Sequence, residues 1–211
     1  MENERLRQHA DHYLLPRYVT KERLASYWHQ VDEVTRLSDG KVLCVGPGNF
    51  LVPDWLSRLG VDVVNLELIA SPIAHLRGDV SRLPFRDGAF DVVLCAQVLE
   101  HLPWNSFPST LQEIRRVAKI GAVVTLPRSD RPFRLELDLG LTYPRRLCFP
   151  LSRLRRWAIR TPEEHYWEIG QPEHPLRVIE QHLRAVGFEI ERSYRVWEFE
   201  YHQVFSLRSD S

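Results

Sequence analysis

The chain has 211 residues, 44% of them apolar, which is enough to bury a full core and suits one elaborated domain better than two. Lys+Arg and Asp+Glu both number 28, so no global field recruits nucleic acid, and neither DNA nor RNA is an expected partner. Cys44, Cys95 and Cys148 are odd in number and widely spaced, with no Cys-x-x-Cys or His-x-x-x-His pattern beside them. That predicts reduced thiols, a cytoplasmic setting and no structural zinc.

The first residues, Met1 to Arg7, are charged. No apolar run follows that is long enough for a signal peptide or for the roughly 20 residues of a membrane span, which again points to the cytoplasm. Thr20 to Arg23 has the composition of a helix start, and Leu24, Tyr27, Val31, Val34 and Leu37 follow at three- and four-residue spacing. The spacing predicts an amphipathic helix over 20–37 with those five side chains inward, making 1–38 an N-terminal helical cap. Residues 39–211 are expected to form the main domain.

Val42-Leu43-Cys44-Val45 then reads as a buried strand that runs into the tight turn Gly46-Pro47-Gly48-Asn49 ahead of a helix. Glycine permits left-handed backbone and close approach of a ligand to the main chain, and the next helix start offers unpaired N–H groups. Such a turn specifies a nucleotide-like ligand and no more. Val61 to Glu67 reads as a second strand ending in a carboxylate, twenty-one positions after Gly46, where an acid can accept ribose hydroxyls. An NAD-dependent oxidoreductase fits these two features equally well.

The blocks that follow are Gly78-Asp79-Val80-Ser81-Arg82-Leu83-Pro84-Phe85, then Asp87 to Cys95, then Gln97-Val98-Leu99-Glu100-His101-Leu102. This run, with Leu111 to Gly121 behind it, resembles the class I S-adenosylmethionine-dependent methyltransferases, in the branch with a GD-x-x-x-LPF-x-DG-x-FD-VV signature and a V-L-E-H-L helix. The likeness covers residues 40–127. It implies an α/β fold: a Rossmann-like seven-stranded sheet, mostly parallel with an antiparallel last strand, and helices on both faces. Asp79 and Phe90-Asp91 have a role there and none in an NAD enzyme.

By position, the resemblance implies that Gly46, Pro47, Gly48 and Asn49 cradle the amino-acid end of S-adenosylmethionine. It gives Glu67 the ribose and Leu68 a place beside the adenine, sets Asp79 and the Val80 backbone at the adenine amino group, and faces Cys95, Ala96 and Gln97 toward the methionine portion. The N-terminal helix would pack over the cofactor cleft, offering Tyr27, Trp28 and His29 to substrate. Two residues depart from the family pattern: Cys44 replaces an acid and Phe50 a third glycine. Loss of that acid and a Phe narrowing the pocket would lower donor affinity, so a catalytically silent binding or scaffold protein of this fold is the alternative to an enzyme.

Ala122 to Pro127 supplies a fifth strand, with Gly121 in the turn before it. Residues 128–174 have no counterpart in the minimal fold and are expected to form a lid. The lid is rich in arginine, including Arg128, Arg131, Arg134, Arg145, Arg146, Arg153, Arg155, Arg156 and Arg160. A basic amphipathic segment of that kind suits phosphate or carboxylate, or peripheral membrane contact through 145–160. Pairing with Glu136, Asp138, Glu163 and Glu164 as a solvated surface is equally compatible.

The insertion ends in His165-Tyr166-Trp167-Glu168-Ile169-Gly170, which resembles an H-x-W-E-I-G segment of family members among glycan and cell-envelope enzymes. A hydroxyl that attacks the sulfonium methyl must lose its proton, and His165 or Glu168 is a candidate to receive it if either reaches the cleft, with His101 a competing candidate. Alignment of nucleophile and methyl alone also suffices for transfer. The acceptor is expected to be a small-molecule, glycan or lipid-linked oxygen, less readily a nitrogen. Leu176 to Val186 reads as a helix closed by Gly187, and Phe188–Glu191 and Tyr201–Leu207 as a final antiparallel hairpin.

Overall fold

The computed structural model is described for residues 19–68, 75–130, 132–137, 140, 145–150 and 164–210, and these described residues include four α-helices and nine strands. They are α1 (Lys21–Leu37), β1 (Lys41–Val45), α2 (Leu51–Arg58), β2 (Asp62–Glu67), β3 (Leu76–Arg77), β4 (Phe90–Ala96), α3 (Phe107–Val117), β5 (Ala118–Pro127), β6 (Pro132–Leu137), β7 (Arg145–Pro150), α4 (Leu176–Ala185), β8 (Phe188–Arg195) and β9 (His202–Ser209). Seven strands form one sheet in the order β3-β2-β1-β4-β5-β9-β8, while β6 and β7 pair separately. The first five strands of that sheet are mutually parallel, and β9 inserts antiparallel between β5 and β8.

Central strands covered on both faces must be apolar throughout, and β1, β4 and β5 are buried along almost their whole lengths. One face of the sheet, with Cys44, Val92, Leu94 and Val123, packs against Val31 and Val34 of α1 and Val52 and Leu56 of α2. The other, with Leu43, Val45, Cys95 and Val124, packs against Leu111 and Ile114 of α3 and Ile179 and Leu183 of α4. From β1 the chain moves one way, to β2 and β3, and then crosses back to β4 and β5 on the opposite side. That reversal opens a crevice at the carboxyl ends of β1 and β4, where ligands bind in doubly wound sheets.

Three local expectations are corrected. Leu24 is 44% exposed rather than inward, because the first turns of α1 direct Tyr27 and Gln30 toward the sheet instead. Gly121 lies within β5, not in a turn, and a side chain there would run into the Leu207 carbonyl of β9. Glycine is required by the neighbouring strand. The V-L-E-H-L segment forms a 3₁₀ turn at Leu99–His101 rather than an α-helix. The capped start at Thr20, whose hydroxyl accepts from the Arg23 amide, and the left-handed Gly187 after α4 are as the sequence predicts.

Arg128 pairs in bidentate fashion with Asp130, at 2.7 and 3.0 Å, and donates to Gln203 Oε1, so it braces the end of β5. The remaining lid arginines, including the 145–160 stretch considered for membrane contact, have side chains outside the described residues, as do Met1 to Arg7. Among the described residues no helix is long and apolar enough to cross a membrane.

Candidate functional site

A cleft with ≈ 630 Å³ of empty space, part of it open to solvent, occupies the crevice between β1 and β4. Its rim is the turn Gly46-Pro47-Gly48-Asn49, its floor includes Cys44, Leu94 and Ala96, and Gln97 closes one side. Gly46 and Gly48 have φ of +61° and +59°, which a side chain disfavours, and a Cβ on Gly46 would lie 2.5 Å from Val98 Cγ2. Main chain therefore faces the cleft with little side-chain cover.

Two non-glycine residues share that left-handed region, Phe50 (φ +61°) and Gln97 (φ +55°). Strain of this kind concentrates at sites that bind or react. At Phe50 it explains why related chains favour glycine, and the Phe50 ring does not line the cleft. Asn49 holds the turn from both sides, accepting from the Leu51 amide and donating to Tyr27 Oη at 3.2 Å.

The structure brings Gly46, Pro47, Gly48, Asn49 and Gln97 together, and places the other expected contacts differently. Glu67 stands at the end of β2, next to the turn, with Oε1 accepting from the Leu68 amide; Leu68 is exposed. Asp79 is exposed and spends Oδ1 on the Ser81 amide and hydroxyl at 2.8 Å. None of these three lines the cleft between β1 and β4, and Val80 is buried in the core. Cys95 is a correction: its side chain is buried on the α3–α4 face, because neighbours along a strand alternate, and the cleft-lining thiol is Cys44. Burial pushes the Cys44 thiol up to about 12, which keeps it protonated and inert.

Beyond the residues expected from the sequence, α1 adds Arg23 and Gln30 to the cleft on either side of Tyr27, a row at helical spacing. Trp28 is exposed, and His29 turns to Tyr194 Oη (3.1 Å) and Glu198, so of the three α1 residues offered to substrate only Tyr27 lines the cleft. His202, at the start of β9, is buried with Nδ1 2.6 Å from Ser26 Oγ. Burial, with the nearby Arg23 charge, lowers His202 to about 3 and holds it neutral.

Beside the cleft lies a second cluster. The His165-Tyr166-Trp167-Glu168-Ile169-Gly170 segment is laced onto the carboxyl end of the sheet: Ile169 N–H donates to Pro127 O, Ser129 N–H to Ile169 O, and Tyr166 N–H to Glu100 O. Trp167 is fully buried and donates its indole N–H to Leu102 O at 3.1 Å. Gly170 has φ +100°, and a Cβ there would meet Asp130 at 2.8 Å, which accounts for the glycine.

This lacing sets His165 against His101, ring centroids 4.8 Å apart at 82°. His165 Nδ1 is 2.8 Å from Glu168 Oε1, which also accepts from Tyr201 Oη at 2.5 Å. His101 Nδ1 meets the Glu164 carbonyl at 3.0 Å, and burial lowers the affinity of that ring for a proton. Burial, reinforced by Glu168, raises the Tyr201 phenol far above its ordinary range, so it donates. Glu100 is fully buried and pushed up to about 8, mainly by loss of water and further by Glu168. All three expected proton-handling residues, His101, His165 and Glu168, thus come together, and Tyr201 and Glu100 join them.

The parallel sheet with one inserted antiparallel strand, and the glycine cradle at its reversal point, define the class I methyltransferase fold. A family model described as "Methyltransferase domain" matches residues 43–126. Ubiquinone biosynthesis O-methyltransferase of Hahella chejuensis is 31% identical over 121 residues, 49% of this chain and 50% of that protein. The protein of the same name from Dechloromonas aromatica is 25% identical over 174 residues, 69% of this chain and 74% of the relative. The chain thus spans half to three quarters of the length of these relatives. In fold it is similar to N-methyltransferase NodS of Bradyrhizobium japonicum, solved with S-adenosylhomocysteine, at TM-score 0.64 and 11% identity over 100% of this chain and 97% of that one. Residues 43–126 thus match a methyltransferase domain, and the chain has the fold of the S-adenosylmethionine-dependent methyltransferases.

Proposed function

We propose that this protein transfers the methyl group of S-adenosylmethionine to an oxygen of a small-molecule acceptor. The observation that carries the reading is the pairing of a main-chain cradle with left-handed turns, which ends at Gln97, and a buried histidine–carboxylate–tyrosine cluster at the carboxyl end of the same sheet. The cofactor supplies a methyl carbon made electrophilic by a sulfonium charge. Gly46, Pro47, Gly48, Asn49 and Gln97 are assigned to its amino-acid end, Glu67 to the ribose, and Leu68, Asp79 and Val80 to the adenine. The relatives' printed name supports oxygen over nitrogen as the accepting atom.

His165 is assigned as the group that takes the acceptor proton. Its Nδ1 is held by Glu168, which fixes the ring and makes Nε2 the basic atom. Tyr201 steadies the same carboxylate, and His101 packs edge-on against the ring. As the new O–C bond forms and the C–S bond breaks, the hydroxyl proton passes to His165, and the imidazolium is stabilised by Glu168. Segment 128–174 is assigned to cover the acceptor, a small molecule, glycan or lipid-linked group.

The second reading, a silent binding protein, is favoured by Cys44, which lines the cleft where related chains carry an acid. Calorimetry with S-adenosylmethionine, followed by transfer of labelled methyl to a panel of hydroxylated aromatics and quinols, separates the two. Saturable binding with turnover supports the enzyme. No binding at millimolar ligand removes the enzyme reading and favours the silent protein.

A further inference from the structure

Glu100 is fully buried, yet neither of its carboxylate oxygens has a hydrogen-bond partner among the described residues. A buried acid left in that condition is costly whether ionised or neutral, because either form needs a partner from the protein or from something bound. One ligand atom from each of Glu100, His101 and His165 lies within 4.8 Å of the other two. The orphan carboxylate therefore faces two imidazoles.

Both imidazoles are already oriented by their other nitrogen. His101 Nδ1 contacts the Glu164 carbonyl at 3.0 Å, and His165 Nδ1 contacts Glu168 Oε1 at 2.8 Å. A carbonyl or a carboxylate only accepts, so each Nδ1 carries the proton and each Nε2 presents a lone pair. Histidines that bind metals are prepared in this way, with the second nitrogen donating to a carbonyl or carboxylate. Tyr201 adds an outer brace through Glu168. Two neutral imidazoles and one carboxylate form a donor set suited to Zn²⁺, with further positions open to water or substrate.

We propose that Glu100, His101 and His165 bind one divalent cation of the zinc type. The site adjoins the donor cleft at two points, since Gln97 lies three residues before Glu100 and Tyr201 directly precedes His202. On the methyl-transfer reading, the open position takes the acceptor oxygen. A bound cation would polarise that oxygen and lower its hydroxyl pKa, and in the metal-free protein the proton-accepting role assigned to His165 stands. The sequence hides the site because His165 is far along the chain from the Glu100-His101 pair.

The test uses the full chain stripped with chelator and titrated with Co²⁺ alone, followed by visible absorption. One Co²⁺ per chain, with a ligand-field band abolished by Zn²⁺, is expected. Glu100→Gln, which keeps shape, and His165→Ala should each weaken Co²⁺ by at least about 10-fold. Circular dichroism matching the parent shows that the variants fold, and Glu100→Gln carries the test if His165→Ala does not. No saturable band, or variants that bind Co²⁺ as the parent does, overturns the proposal. S-adenosylmethionine binding is measured separately without metal, so loss of the donor reading with an intact Co²⁺ band leaves the cation site standing.

Discussion

Replacing His202 with glutamine tests the link between burial and protonation beside the cleft between β1 and β4. His202 sits under α1 with Nδ1 2.6 Å from Ser26 Oγ, beside Arg23, Phe199 and Tyr201, and its proton affinity is lowered to about 3. In the unfolded chain the same ring titrates at about 6.5. Above that value neither state is protonated, and the group adds no pH dependence. As pH falls through 6.5 the unfolded chain takes up a proton that the native protein refuses, so stability declines until pH nears 3. Between pH 7 and pH 5 the loss is about 2 kcal/mol. His202→Gln can retain a bond to Ser26 and has no proton to gain, so it should lack this share of the acid sensitivity. Urea unfolding at the two pH values measures it: at a slope of about 2 kcal/mol per M, the parent midpoint should fall about 1 M further than that of the variant. Equal shifts, or an NMR titration of His202 near 6.5, would refute the burial argument.

Gly46→Ala should cost about 1–2 kcal/mol from the left-handed backbone and a further 1–3 kcal/mol from contact with Val98, and Val98→Ala in the same chain should recover only the second part. A stability cycle in urea checks this, and additive costs would show that the two sites do not touch. Gly121→Ala should destabilise by more than the Gly46 change, since the Leu207 carbonyl belongs to a paired strand that cannot step aside; a thermal midpoint within a degree of the parent would contradict the register of β5 on β9. Glu67→Ala should weaken S-adenosylmethionine by about 1–3 kcal/mol, read by calorimetry. Unchanged affinity would move the ribose away from the end of β2.

What could be read from the linear chain is what depends on neighbours in it. The Thr20 cap and the period of α1, the apolar runs of the central strands, the glycine turn after β1 and the helix closed by Gly187 are all products of local conformational preference and burial pattern. Family resemblance added the assignment of the glycine turn to the methyl donor, and side-chain chemistry made His101, His165 and Glu168 candidates for proton transfer. Face and partner are another matter. Whether Cys44 or Cys95 meets the cleft depends on which side of one pleated strand the helices cover, and Gly121 looks like a turn until β9 pairs beside it. Glu100, Tyr201 and His202 acquire their chemistry from residues far away in the chain: His202 from Ser26, Tyr201 from Glu168, and Glu100 from a burial that leaves its oxygens unpartnered. Charge and proton affinity follow from desolvation and from the atoms that close around a group, and those exist only once distant segments have packed.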